Sequence, residues 1–128
     1  MRTIVRFRSS DRAYALPVEH VTEVRSAADM TPLPAPRPGV AGLVPRADGS
    51  LTVLSVLGAT GNHVLVIEEG AALFGLLVDE VTDVARVEDD VIGPPPQGQA
   101  HSAVSGVIRD DGELVLLLDA SALRGTLT

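Results

Sequence analysis

The sequence predicts an all-β fold of two barrel-like lobes, and three observations carry that expectation. One pattern occurs twice: Tyr14-Ala-Leu-Pro-Val18-Glu-His-Val21-Thr-Glu-Val24 returns sixty residues later as Phe74-Gly-Leu-Leu-Val78-Asp-Glu-Val81-Thr-Asp-Val84, with five of eleven positions identical. A fixed offset of self-similarity marks an internal repeat, and two copies are too few for a solenoid, which needs about three. The 128 residues are 45% apolar but only 2% aromatic, so the core is built from Val, Leu, Ile and Ala, an aliphatic mixture rich in branched side chains that suits strands. Lastly, the apolar runs are short and punctuated by turn residues, as in small β-barrels. A lobe of about 60 residues is marginal alone, so the two are expected to share a core.

Along the chain, Arg2 to Arg8 mixes basic and apolar residues, and Ser9-Ser-Asp-Arg12 turns into a second strand over Ala13 to Val18. Pro17 ends that strand, where a missing N–H costs little. Val18, Val21 and Val24 at spacing three predict a helical turn running into a strand, repeated by Val78, Val81 and Val84. Pro32 to Gly39 cannot be helix or central strand and reads as an extended surface connection, with Gly93 to Gly98 as its counterpart. Each proline segment leads into a strand, an Asp-Gly turn and a second strand. These are Val40 to Val44, Asp48-Gly49 and Leu51 to Leu57, then Val104 to Ile108, Asp111-Gly112 and Leu114 to Leu118. Asn62 to Glu68 and Ala71 to Val78 form a further hairpin around Glu69-Gly70, and Ala120 to Leu123 a last helical turn. The expectation is one domain over 1–128 with about ten strands, five per lobe. Its repeat units cover about 13–60 and 70–124, joined by Arg2–Arg8 and the hairpin 62–78.

Charge and composition narrow the function. Ten Arg and no Lys stand against 17 acids, for a net charge of −7, which repels phosphate backbones and argues against a nucleic-acid partner. With no Cys there is no disulfide, thiolate metal site or cysteine nucleophile. The apolar runs are far shorter than the roughly 20 residues of a membrane helix, and Arg2, Arg6 and Arg8 break any leader pattern, so a cytoplasmic protein without membrane insertion is expected.

Candidate chemistry is sparse. His20, His63 and His101 stand singly, outside any metal-ligand spacing. Asp79-Glu80, Glu88-Asp-Asp90 and Asp110-Asp111 fall at turns, where acids are ordinarily solvated. Leu116-Leu-Leu-Asp119-Ala-Ser121 approaches an aspartic-protease loop but lacks its glycine, and the first repeat has Ser55 where a partner Asp is needed. Gly58-Ala-Thr-Gly61 has neither the Lys nor the helix of a phosphate loop. No catalytic residue, cofactor or metal is expected.

The order of motifs resembles the CheW family of bacterial chemotaxis adaptors. It runs from the Tyr14 motif through Leu33-Pro34, Gly42 eight residues on, a hairpin, the Phe74 motif and Val104-Ser-Gly106 to Leu116-Leu-Leu-Asp119, covering about Thr3 to Arg124. The resemblance implies two five-stranded SH3-like barrels packed about a shared apolar interface. It also implies a non-catalytic scaffold coupling the cytoplasmic tips of chemoreceptors to a CheA-type histidine kinase. On that reading the receptor side comprises Val18, Val21, Glu23, Val24, Gly42 and Arg46. Two departures stand out: the family's receptor-contact arginine falls one place early, at Arg46, and Ser55 replaces a common Asp. The rival readings are a small enzyme or ligand-binding β-barrel using Asp119 and the acidic turns, and an isolated regulatory domain of a kinase.

Overall fold

The computed structural model describes residues 1–95, 103–110 and 112–127, with the side chains of 34–36 left aside. His101, Asp111 and the second proline segment beyond Pro95 lie outside the described residues. Among these, twelve strands form two six-stranded sheets. The strands are β1 (Arg2–Ser9), β2 (Arg12–Pro17), β3 (Val21–Ser26), β4 (Thr31–Arg37), β5 (Val40–Arg46), β6 (Gly49–Leu54), β7 (His63–Glu69), β8 (Ala72–Val78), β9 (Glu80–Val87), β10 (Ile92–Gly93), β11 (Val104–Asp110) and β12 (Glu113–Leu118). A short helix, α1 (Ala120–Gly125), follows, and 3-10 turns occupy Val18–His20, Ala27–Asp29 and Asp89–Val91.

The all-β expectation holds, with six strands per sheet where five were counted. The first proline segment is itself strand β4, placed at a sheet edge, where proline removes no ladder bond to a second neighbour.

The sequence repeats are not the sheets. One sheet runs β10-β11-β12-β2-β1-β9 and the other β3-β7-β8-β6-β5-β4. β2 of the first repeat, with β1 before it, thus joins the later strands of the second, and the β7–β8 hairpin joins β3 to β6. The exchange is sealed by two parallel pairings, β12 with β2 and β6 with β8. The first sheet is called the terminal barrel below, and the second the central barrel.

Unbroken apolar runs follow from this arrangement, because the middle strands are buried on both faces. Along β2, Ala13 and Ala15 line the terminal barrel while Tyr14 and Leu16 face the shared interface. On β7, Val64 and Val66 line the central barrel while Leu65 and Ile67 face the interface. Both edges of the terminal sheet, Ala85 and Val87 on β9 and Ile92 on β10, pack on one interior, so the sheet curls closed. Between the barrels, Phe7 stacks on Tyr14 at 5.9 Å, and Phe74, Leu54, Leu76 and Leu118 complete the shared core. Burying each such side chain contributes roughly 1.5–3 kcal/mol.

Turn chemistry fixes the hairpins. Gly49 and Gly112 have positive φ after the predicted Asp-Gly steps. The β1–β2 turn instead holds two non-glycine residues left-handed, Ser10 at φ 52° and Asp11 at φ 64°. That backbone is favoured in two-residue hairpins and is secured from outside. The Ser10 N–H donates to Asp79 Oδ2 at 3.0 Å, and Ser10 Oγ donates to the Leu57 carbonyl at 3.1 Å.

Candidate functional site

The candidate residues lie on the 3-10 turn Val18–His20, on β3 and on β5 of the central barrel. Residues directly opposite each other in an antiparallel pair point to the same face. Val21 lies opposite Ile67, but the register then slips, so that Glu23 faces Val66 and Val24 faces Leu65. A β-bulge, not a helical turn, therefore places Val21 and Val24 on one side at spacing three. The expected helical turn is limited to Val18–His20. The second repeat has the same slip, with Val81 opposite Phe7, Asp83 opposite Arg6 and Val84 opposite Val5.

The valine stripe is graded in burial. Val18 and Val21 are half-buried, and Val21 packs against the interface core. Val24 is 47% exposed at the rim, and its counterpart Val84 is 61% exposed.

Glu23 and Arg46, distant in sequence, meet across the closing seam of the central barrel at 4.0 Å. Arg25, two residues along the same face of β3, lies 4.0 Å from Glu23 and 3.3 Å from Asp29, and Arg46 lies 4.0 Å from Asp48. Sequence reasoning passed over Arg25 and Asp29. The signal was their spacing of four across the 3-10 turn, and the period of two that aligns Arg25 with Glu23.

Gly42 is buried rather than presented at the surface. A Cβ there would stand 2.4 Å from the Thr31 carbonyl oxygen and 2.9 Å from Met30 Cγ, so its demand is for close packing of β5 against β4.

Several of the acids behind the enzyme reading are engaged elsewhere. Asp119 is the N-cap of α1, where its Oδ1 accepts the Ser121 N–H at 2.9 Å. Asp79 secures the Ser10 turn, and Asp89 lies 3.6 Å from the amino terminus and 3.8 Å from Arg2. His20 Nδ1 lies 2.9 Å from the Glu68 carbonyl oxygen, which pairs them as donor and acceptor. Among the described residues no group of three or more His, Asp or Glu is placed to hold a metal ion.

The strongest electrostatic feature ties the terminal barrel. Arg6 on β1 donates to both Asp83 carboxylate oxygens at 2.6 Å and reaches Asp110 at the end of β11. These hydrogen bonds hold the Asp83 carboxyl below its usual range and raise the Arg6 guanidinium. Burial raises the Tyr14 hydroxyl in the shared core.

The class so defined is a double β-barrel with a shared apolar interface, several of its acids engaged in caps, turns and seams. Comparison with known proteins gives it a family. The model of the CheW-like domain matches residues 3–126, and the chain belongs to that family. A probable chemotaxis protein CheW of Rhizobium etli is 23% identical, and the chemotaxis protein CheW of Rhizobium meliloti 25%, each covering 95% of this chain and 86% of the relative. The crystal structure of the scaffolding protein TtCheW from Thermoanaerobacter tengcongensis superposes with a TM-score of 0.82 at 22% identity, over 92% of this chain and 84% of that one. No helix among the described residues is long and apolar enough to cross a membrane.

Proposed function

We propose that this chain is a cytoplasmic, non-catalytic adaptor of chemosensory signalling that links the cytoplasmic tips of chemoreceptors to a CheA-type histidine kinase. The observation that carries this reading is the family match across 3–126. The receptor side is the rim of the central barrel, where Val24 offers apolar surface and Glu23 and Arg46 offer charge. Val18 and Val21, both half-buried, precede Val24 along the chain, and Gly42 lets β5 pack closely against β4. An apolar groove with flanking charge suits a helical hairpin.

Coupling through such a protein is reciprocal. If receptor state changes affinity for the kinase, the kinase changes affinity for that receptor state by the same factor, typically about 1–3 kcal/mol. The test is a calorimetric titration of the purified chain with the regulatory domain of a CheA-type kinase from the same genome, at moderate salt. Saturable binding that weakens when Val84, exposed on the terminal barrel, is replaced by Asp is expected. A folded chain that binds none of the genome's kinases of this type refutes the coupling role.

A further inference from the structure

The terminal barrel carries a cleft that the adaptor reading does not use. Its wall is open where β9 and β11 face each other without a shared hydrogen-bond ladder, and the Arg6 cluster spans that seam. Beside it lies a cleft of about 110 Å³ floored by Val87, Ile108 and Val115. Arg86 on β9 and Arg109 on β11 line it, both exposed, and neither forms an ion pair with a described residue. The one acid lining the cleft, Asp110, is held by Arg6. Asp89 of the next turn is engaged with the amino terminus and Arg2. Two guanidinium groups therefore share one opening, with an apolar floor and a charged margin, in a chain of net charge −7.

We propose that this seam cleft is a docking site for an acidic protein segment, which seats one aliphatic side chain between β9 and β11 and places a neighbouring carboxylate between Arg86 and Arg109. The volume selects the class of partner. Small-molecule pockets run to about 300–1,000 Å³, whereas a single anchoring side chain needs far less. The planar guanidinium fork selects the charge, since it pairs with carboxylates in two-bond geometry. Val91, 48% exposed at the same opening, extends the apolar contact. The inference stands on the cleft itself and adds a third surface to an adaptor, whatever its other partners are.

The test is nitrogen–proton NMR of the labelled full-length chain with three blocked tripeptides: Glu-Leu-Glu, Gln-Leu-Gln and Lys-Leu-Lys. The acidic peptide is expected to shift amides within 85–91 and 107–110, at least fivefold more strongly than the other two at equal concentration, and less as salt rises. The double variant Arg86→Glu, Arg109→Glu should abolish those shifts, while Arg46→Glu, on the other barrel, should leave them intact. Both sites are exposed, and the dispersion of the remaining amides reports that the fold persists. The proposal is overturned by equal shifts with the glutamine peptide, by the same shifts from sodium acetate alone, by shifts centred elsewhere, or by none. Kinase binding is read separately by the titration above, so either result can fail without the other.

Discussion

The two barrels share a plan and close it by different chemistry. In the terminal barrel Arg6 lies opposite Ala15 and Asp83, and in the central barrel Val66 lies opposite Gly75 and Glu23. Arg6 and Val66 are thus equivalent positions, as are Asp83 and Glu23. The terminal barrel ties its seam through a guanidinium with two carboxylates. The central barrel fills the same position with a fully buried valine and leaves Glu23 and Arg46 facing each other at 4.0 Å, beyond hydrogen-bond reach. Aliphatic interiors are therefore common to both barrels, while the charges at their mouths are free to diverge. The central mouth, with its weaker closure, is also where the candidate receptor residues lie.

The largest effects test what the barrels share. Leu16 and Leu76 are equivalent, both fully buried at the interface. Leu16→Ala and Leu76→Ala are each expected to cost about 2–5 kcal/mol in urea unfolding. A gap of more than about 2 kcal/mol between them would show the interface to be one-sided. Glycine comes next. Gly42→Ala brings a methyl to 2.4 Å from a backbone oxygen, against 2.9 Å for Gly106→Ala, so the first should cost about 1–3 kcal/mol and the second less.

The seams give smaller numbers and a pH dependence. Asp83→Asn is expected to cost at most about 1 kcal/mol at neutral pH, because the pair is largely exposed. The Asp83 carboxyl is held below its ordinary value of 3.8, so its contribution is complete above that pH and is lost as pH falls through the lowered value. Urea midpoints of wild type and Asp83→Asn should therefore differ at pH 7 and draw together as pH falls below 3.8. Glu23→Gln should change stability at neutral pH by no more than about 0.5 kcal/mol. Arg46→Glu is expected to leave stability equally unmoved while weakening receptor pull-down, and undiminished pull-down would remove Arg46 from the receptor side.

Much of the local structure was legible because its causes are local. Asp-Gly turns, the Pro17 strand end and the helical turn at Ala120 follow from a few neighbouring residues. The repeat announced two lobes, but nothing in its sequence said that the hairpins change places, because β2 and β8 are apolar on both faces and fit either sheet. The valine spacing was visible and its cause was not: a three-residue period arises from a helical turn or from one bulged residue, and only the pairing partners distinguish them. Glu23 and Arg46 were each legible from the family pattern, whereas their meeting required the closed barrel. Gly42 needed a carbonyl oxygen from a neighbouring strand to explain it. Arg6 read as one member of an alternating strand until the curl brought Asp110 to it.

The exchanged hairpins also decide how the chain can be taken apart. A cut between Leu57 and Asn62 separates the two repeats, yet each fragment holds strands of both sheets, so neither carries a complete barrel. Neither half can mature while the other is still being synthesised. Contacts between distant segments must form before either core is rewarded, which places this small protein among slow, concerted folders. Fragments 1–59 and 60–128 should each be disordered alone and regain the native sheets when mixed, the two halves acting as each other's template.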